Sequence, residues 1–311
     1  MALHLVPRSL QYVEQVAHLG SIQAASRETG ISASAIHRQI IAIEEDLGEL
    51  IFDRNVKGMV LTPAGRLVLD LARNWRFDSA KLWTLMQANR GVEYGHIRIA
   101  AMDGMVNGLA LELASEIGDK FPRVQTEFEI TSPDRAVKGV INGDFDIAIV
   151  ANPQPDVDLI YHWSKEFPLG CIASPDHSIA AKKSISLEEF VTFPVAFQSS
   201  SLPIRKLLEA RHGWIFEKAV NSVVVSSVQL MKLLAVSGKY ISVTSEVDAG
   251  PEIKSGALKF IPISDKDLFQ QSIAIISNAQ MPLPDVGTKI IHIAEQLLEQ
   301  SNDSLDNLFT P

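Results

Sequence analysis

The residues with the clearest chemical potential lie at the start of a short helical pattern near the N-terminus. Arg38 can hydrogen-bond a guanine edge through two N–H groups, and serine or histidine can contact bases or phosphates. The first residues of a helix are the ones that reach base edges in a major groove. The pattern therefore predicts a nucleic-acid contact surface formed by Ser21, Ser32, Ala33, Ser34, His37 and Arg38.

Three helical patterns between residues 9 and 47 would position this surface. Ser21 and Ser32 have the side chain favoured at helix N-caps, and Gly30 suits the turn between the second and third helices. The third helix has one apolar stripe, predicted to be buried, at Ile36, Ile40, Ile43 and Leu47. Taken alone, such a run can also be a structural bundle, and Arg38 could form a surface salt bridge.

Residues 50–63 predict a β-hairpin followed by a long helix. Two short extended runs flank residues 55–58, and Arg54 and Lys57 lie near the tip. Two cations at this place suit a phosphate backbone. Thr62-Pro63 then has the composition of a helix start. A hairpin beside a helix-turn-helix is a wing, so the first part of the chain is predicted to be a winged helix-turn-helix.

This order of residues resembles the DNA-binding half of LysR-type transcriptional regulators across nearly all of residues 8–66. Three departures lie on the third helix: Ala33 stands where the family commonly has Gln, Ser34 where it has Pro, and His37 where it has Ser. The missing Gln removes a common base- or phosphate-contacting group, so we expect an unusual operator preference. The shared positions include Gly20-Ser21, Ala24-Ala25, Ile31-Ser32, Arg38-Gln39-Ile40, Leu47-Gly48, Phe52, Arg54, Leu61-Thr62 and Ala64-Gly65.

Residues 63–90 form one continuous helical pattern with an apolar stripe. Exposed apolar stripes are uncommon on soluble monomers. The stripe predicts a homodimer or homotetramer, which the resemblance also implies, and paired heads would bind a pseudo-palindromic site on double-stranded DNA. The alternative is that the stripe packs against its own winged domain. Its members are Leu67, Leu71, Trp75 and Leu82.

From residue 91 onward strands and helices alternate, which is typical of an α/β fold. The pattern resembles the effector-binding module of the same family, which is similar to type 2 periplasmic binding proteins: two Rossmann-like α/β subdomains with a ligand cleft between them. We expect a DNA-binding domain at 1–62, a linker helix at 63–90 and an effector-binding domain at 91–311. Subdomain one is then 91–161 plus 271–311, and subdomain two is 162–270. Strands are predicted near 96–101, 124–130, 145–150, 168–174, 194–197, 220–225, 240–243 and 271–277, with helices near 106–120, 134–142, 187–190, 202–212, 228–236, 245–250 and 285–300.

Polar residues follow several of these strands, where helix N-termini point free N–H groups into a cleft. They predict a site for a small polar effector. Ser132, Ser201 and Ser227 could instead be N-caps. Asp103 could cap the helix that follows it, or it could face a ligand with a cation or several hydroxyls. The candidate effector residues are Met102, Asp103, Ser132, Ser199, Ser200, Ser201, Ser226 and Ser227.

Composition excludes several classes of protein. The net charge of −9 belongs to the second part: residues 1–90 carry 10 Lys and Arg against 9 Asp and Glu, and the remainder carries 18 against 28. With a single cysteine, Cys171, an intramolecular disulfide and a thiolate zinc cluster are excluded. We expect no enzyme activity, cofactor, metal site, secretion signal or membrane span, because no corresponding motif is found, and a cytoplasmic location. The rival interpretations are an enzyme with a DNA-binding head and an architectural protein whose C-terminal module only oligomerises.

Overall fold

A computed structural model describes residues 7–55, 58–88, 95–281 and 283–309. The chain divides into two compact units, Met1–Glu93 and Tyr94–Pro311. We call them the head and the effector unit. No described helix is long and apolar enough to cross a membrane.

The head begins with three helices whose ends follow from their glycines. Gly20, Gly30 and Gly48 each end a helix with positive φ, a conformation that other residues adopt at a cost. A two-stranded hairpin and a long helix follow. The elements are α1 (Arg8–Leu19), α2 (Ile22–Thr29), α3 (Ala33–Leu47), β1 (Phe52–Asn55), β2 (Gly58–Leu61) and α4 (Pro63–Ala88).

The head has its own hydrophobic core, formed by the inner faces of α1 to α4 and the start of the hairpin. Ile36 and Ile40 are fully buried there, whereas Leu47 is 52% exposed, so the prediction of a fully buried stripe on α3 is wrong at its last member. Leu47 is the last residue of the helix. Glu44 from the same helix accepts hydrogen bonds from the backbone N–H groups of Ile51 and Phe52, which fixes the hairpin to α3.

The effector unit contains two sheets with the same plan. In the first, the strand order is β4-β3-β5-β12-β6, with β12 antiparallel to both of its neighbours. In the second, β10-β7-β11 and β8-β9 are joined by a parallel bridge between Val195 and Ile241. The strands are β3 (Gly95–Ala101), β4 (Val124–Ile130), β5 (Ile147–Ala151), β6 (Leu159–Phe167), β7 (Leu169–Ala173), β8 (Pro194–Gln198), β9 (Asn221–Val225), β10 (Ser242–Ser245), β11 (Lys259–Pro262) and β12 (Gln271–Asn278).

Helices cover these sheets and close their cores. Asp103–Met105 is a 3-10 turn and Val106–Ala110 a π-helical turn that leads into α5, so the single helix predicted at 106–120 is divided. Ser178–Ala181 is another 3-10 turn. The helices are α5 (Leu111–Lys120), α6 (Pro133–Asn142), α7 (Leu187–Phe190), α8 (Pro203–His212), α9 (Ile215–Lys218), α10 (Val228–Val236), α11 (Gly250–Lys254) and α12 (Asp285–Phe309).

The predicted subdomain boundary at 161/162 needs a correction. β6 continues to Phe167 and pairs with β12 along its whole length, from Leu159 opposite Asn278 to Phe167 opposite Gln271. The register shifts at one bulge, between Ile275 and Ile276, but the pairing resumes beyond it, so residues 162–167 belong to the first sheet rather than the second subdomain. The helix predicted at 245–250 is also wrong: Ser245 ends β10, and α11 begins at Gly250 with Pro251 in its first turn.

Candidate functional site

The start of α3 presents a polar surface. Ser32 is the N-cap of the helix and accepts a hydrogen bond from the N–H of Ala35 at 3.3 Å. Its hydroxyl also lies 3.3 Å from that of Ser34. Ser34 and Arg38 are exposed, while Ala33 and His37 are half-buried. Among the described residues Arg38 forms no ion pair, which does not favour a surface salt bridge.

The other predicted DNA-contacting residues have different positions. Ser21 is half-buried and caps α2, where it accepts a hydrogen bond from the N–H of Ala24 at 3.4 Å. The backbone of Arg54 lies in β1 opposite Met59, and its side chain is not described. Lys57 lies outside the described residues. The hairpin stands beside the helix-turn-helix, because the N–H of Met59 donates to the carbonyl of Gly20 at 2.9 Å.

The apolar stripe of α4 is not covered within the head. Leu67 is 72% exposed, Leu71 53%, Trp75 43% and Leu82 45%. Val68 and Ala72, on another face of the same helix, pack into the core of the head instead. The alternative in which the stripe packs against its own winged domain is therefore wrong.

The effector unit holds a cavity of about 250 Å³. Its walls come from six separate segments of the chain. Four of them are the ends of β3, β4 and β8 and the start of α10, and the other two are Asp248 and Gln271. The lining residues are Met102, Asp103, Gly104, Ile130, Thr131, Ser132, Pro133, Gln198, Ser201, Leu202, Pro203, Ile204, Ser226, Val228, Asp248 and Gln271.

Five of the eight candidate effector residues line this cavity: Met102, Asp103, Ser132, Ser201 and Ser226. Ser199, Ser200 and Ser227 do not. Ser132 and Ser227 also cap α6 and α10, as the alternative interpretation expects. Ser201 is no cap, since α8 begins after Leu202 and its hydroxyl instead lies 2.8 Å from that of Ser199.

Asp103 connects the two subdomains. Its Oδ2 accepts hydrogen bonds from the hydroxyl of Ser227 at 2.9 Å and from the backbone N–H of Gln229 at 3.0 Å. The Gln229 side chain donates to the carbonyl of Asp103 at 2.8 Å. The interpretation that Asp103 caps the helix following it is therefore wrong, because the carboxylate caps α10 on the opposite wall. A carboxylate is stabilised there by the free N–H groups and the positive end of the helix dipole.

A second connection involves a buried lysine. Lys232 on α10 is 1% exposed and donates to the carbonyl of Asp248 at 2.9 Å. It also pairs with the carboxylate of Glu252, at 2.9 Å to Oε1 and 3.0 Å to Oε2. Glu252 in turn accepts from the side chain of Asn107 at 3.1 Å. The lysine charge is thus balanced by a carboxylate that also bonds the first subdomain.

Gly104 allows a close approach between the two walls. A Cβ atom at this position would lie 2.4 Å from Oδ1 of Asp248 and 2.8 Å from its Cγ. Only glycine leaves room for the carboxyl group here. Burial raises the pKa of Asp248, and hydrogen bonding to Ser245 and the charge of Lys232 oppose that rise.

Several buried polar atoms on this wall have no hydrogen-bond partner. They are both side-chain amide atoms of Gln198, Oδ1 of Asp248 and Oε1 of Gln271. The three residues are 4%, 3% and 1% exposed. Buried polar atoms are bonded in most proteins, so such a group calls for a ligand or ordered water.

Sequence reasoning missed these three residues for different reasons. Gln198 directly precedes the predicted serines and ends β8, so its place in the strand was a usable signal. Gln271 is a polar residue at the first position of an apolar strand, and this position was a weaker signal. Asp248 follows β10 in a loop, and nothing in its neighbourhood points to a cleft.

The lone cysteine has no part in either site. Cys171 lies in the middle of β7 and is fully buried, and burial raises the pKa of its thiol. No group of three or more His, Cys, Asp and Glu suited to a metal ion occurs among the residues that the structure describes.

Two family models match the chain. One, described as a bacterial regulatory helix-turn-helix protein of the lysR family, covers residues 7–66. The other, described as a LysR substrate binding domain, covers residues 90–298, which is more than half of the chain.

The individual relatives and solved structures share a low sequence identity with this chain. The RuBisCO operon transcriptional regulator of Allochromatium vinosum is 26% identical over 207 residues, which is 67% of this chain and 68% of that protein. A full-length OxyR structure from Pseudomonas aeruginosa has a TM-score of 0.64 at 19% identity, covering 96% of this chain and 95% of that one. A structure of CbnR in complex with its target DNA has a TM-score of 0.55 at 18% identity, covering 94% and 99%. These structural likenesses establish the fold.

Proposed function

The chain belongs to the LysR family of bacterial transcriptional regulators, and we propose that its head recognises a pseudo-palindromic operator while the cavity of its effector unit binds a small molecule that modulates this binding. Members of this family bind DNA and an effector and are regulators rather than enzymes. We assign the DNA-binding domain to residues 1–62, the linker helix to 63–90 and the effector-binding domain to 91–311. A regulator of this kind acts on chromosomal DNA, so we place it in the cytoplasm.

The observation that carries the proposal is the exposed polar start of α3. Ser34 and Arg38 point outward from a helix whose opposite face is anchored in the core by Ile36 and Ile40. A helix fixed in this way can present Arg38 to the edge of a guanine in the major groove. Contacts to base edges specify a sequence, whereas cations on the hairpin, such as Arg54 and Lys57, suit the phosphates.

The experiment begins with duplexes that the full chain selects from a random-sequence pool. Arg38→Ala should weaken binding to the selected duplex by about 1–3 kcal/mol, or roughly 5- to 150-fold, and relax its sequence preference. Lys138→Ala, which removes an exposed cation from α6 of the effector unit, is the matched control and should leave the affinity unchanged. An Arg38→Ala chain that binds the selected duplex as tightly as the parent, and prefers it over unselected duplexes to the same degree, would rule out Arg38 as a base-reading residue.

Paired heads require an oligomer, and two apolar surfaces support one. The first is the exposed stripe on α4 at Leu67, Leu71, Trp75 and Leu82. The second lies in the effector unit, where Leu111 and Ile130 are exposed on one subdomain and Val224, Leu230 and Leu233 on the other. Surfaces of this kind are covered in soluble proteins, so we propose a homodimer or homotetramer. A monomeric mass in solution at micromolar concentration would contradict this assembly.

The position of the cavity also suggests how effector binding changes the binding of the head to DNA. Val228, the first residue of α10, lines the cavity together with Ser226 just before the helix, and the same helix exposes Leu230 and Leu233. An effector that changes the fit between the two subdomains would therefore shift a helix on the proposed oligomer surface. Such a ligand acts by binding one arrangement more tightly than the other.

A further inference from the structure

We propose that the cavity selects a small organic cation with hydrogen-bond donors and rejects carboxylate effectors, because its anion-binding position is already filled by Asp103 and its buried polar atoms without a partner belong to a second carboxylate and two amides. This inference rests on the proposed function, since it concerns the effector of that same cavity. It identifies the chemical class of the ligand from the charges and unsatisfied atoms of the wall.

The first step concerns the anion position. The N-terminus of α10 is the natural place for a negatively charged ligand, because its N–H groups are free and its dipole is positive at that end. In this chain Oδ2 of Asp103 already accepts from the backbone N–H of Gln229 and the hydroxyl of Ser227. A carboxylate ligand would have to displace Asp103 and leave two negative groups close together. Asp103 thus acts as a built-in substitute for an anion.

The second step is the charge of the lining. Two carboxyl groups, of Asp103 and Asp248, line the cavity, and the lining contains no Lys, Arg or His among the residues that the structure describes. Two cations on the adjoining helix α8 already have partners, and Arg205 also donates to the backbone carbonyl of Gln198 at 3.5 Å. Arg205 pairs with Glu209 at 2.6 Å, and Lys206 pairs with Asp134 at 3.3 Å. The cavity therefore has a negative balance that a cation would neutralise.

The third step is the hydrogen-bonding requirement. Oδ1 of Asp248, Oε1 of Gln271 and Oε1 of Gln198 are acceptors without a donor, whereas Nε2 of Gln198 is a donor without an acceptor, so unsatisfied acceptors outnumber donors three to one on this wall. A ligand with several N–H groups supplies donors to such acceptors, whereas a carboxylate adds further acceptors. Burial raises the pKa of Asp248, against the opposing effects of its hydrogen bonds and of the charge of Lys232. A cavity of about 250 Å³ is smaller than the roughly 300–1,000 Å³ of common ligand sites, so the occupant is small.

The test uses three probes of equal chain length and different end groups: 1,4-diaminobutane, butane-1,4-diol and succinate. Titration calorimetry with the full chain should give the tightest binding for the diamine, weaker binding for the diol and none for succinate. Asp248→Asn should weaken diamine binding at least about 30-fold, because it removes one partner of a buried charge pair. Asp119→Asn, at an exposed carboxylate on α5 outside the cavity, should leave it unchanged. The thermal midpoint of each variant verifies that it folds.

A gain of binding provides an independent readout. Asp103→Ala frees the N–H groups at the start of α10, so this variant should bind succinate where the parent chain does not. Loss of structure cannot produce that result. Succinate binding by the parent as tight as that of the diamine would overturn the cation assignment, and so would failure of all three probes.

These failures remain distinct from failure of the proposed function. A parent chain that binds succinate or the diol, but loses that binding on Gln198→Leu, would keep the cavity as an effector site and change only the ligand class. DNA recognition through Arg38 is measured without any ligand, so its outcome does not depend on the identity of the effector.

Discussion

The head and the effector cavity are assembled in opposite ways. In the head, the proposed contact residues Ser32, Ser34, His37 and Arg38 lie within two turns of one helix, and the glycines that end the neighbouring helices position it. In the cavity, the polar groups come from Asp103, Gln198, Asp248 and Gln271, which are separated by up to 168 positions in the sequence. A site on one helix depends on local structure. A site built from strand ends depends on every strand being in register.

The difference teaches that the two sites should respond differently to mutation. A substitution at the α3 surface changes one exposed contact and leaves the fold of the head intact. A substitution in the cavity wall changes a group that two subdomains share, so it alters stability and ligand binding together. The following three predictions test the part of this contrast that concerns the effector unit, beginning with the largest effect.

Lys232→Met should cost the effector unit about 3–5 kcal/mol of stability, because removing one partner of a buried ion pair leaves the other uncompensated. Glu252 and the carbonyl of Asp248 both lose the ammonium group to which they are bonded. Unfolding of the full chain in urea, followed through the transition of the effector unit, measures the loss, and DNA binding by the folded head serves as the control. The double variant Lys232→Met/Glu252→Gln should recover much of the stability. A change below about 1 kcal/mol in the single variant would contradict a supporting role for this pair.

Gly104→Ala should cost about 1–3 kcal/mol, because the new methyl group would overlap the carboxyl group of Asp248. Adding Asp248→Ala to the same chain should relieve the collision. Gly118→Ala on α5 is the matched control, since a Cβ there meets nothing within 4 Å, and it should be neutral or stabilising. Equal stabilities for the two glycine variants would show that the walls separate easily at this point.

Ser227→Ala should cost about 2 kcal/mol and Ser132→Ala about 1 kcal/mol, although both serines cap a helix beside the same cavity. The hydroxyl of Ser132 accepts only from the N–H of Arg135, at 3.4 Å, within its own helix start. The hydroxyl of Ser227 accepts from Leu230 and also donates to Asp103 on the other subdomain. Thermal unfolding of the two variants gives the difference. If the two losses are the same, the bond across the cavity contributes nothing beyond capping.

Much of the secondary structure could be predicted, and β6 shows why one strand could not. The strand expected at 124–130 and the helix expected at 228–236 have the observed bounds. β6 was missed because it is an edge strand with mostly exposed side chains, so its residues carry no apolar alternation. Its conformation is set by pairing with β12, more than a hundred residues away along the chain.

The same limit applies to the cavity. Met102, Asp103, Ser132, Ser201 and Ser226 were predicted from their place after strands, and they do lie together. The partner of Asp103 could not be predicted, because its distance from Ser227 depends on how the two subdomains meet. Gln198, Asp248 and Gln271 are buried only in the folded chain, where their unsatisfied atoms first become apparent.

The sequence by itself determined the class of the protein, the helix-turn-helix and the exposed polar start of α3. The class follows from the resemblance of residues 8–66 to the LysR family, whereas the helix-turn-helix and the polar start of α3 depend on caps, glycine turns and apolar periodicity, which act over a few neighbouring residues. Only the tertiary structure decided that Asp103 occupies the start of α10 and that the cavity wall is acidic and in need of hydrogen-bond donors. Burial, charge balance and hydrogen-bond satisfaction are properties of groups brought together from distant positions, and no local pattern encodes them.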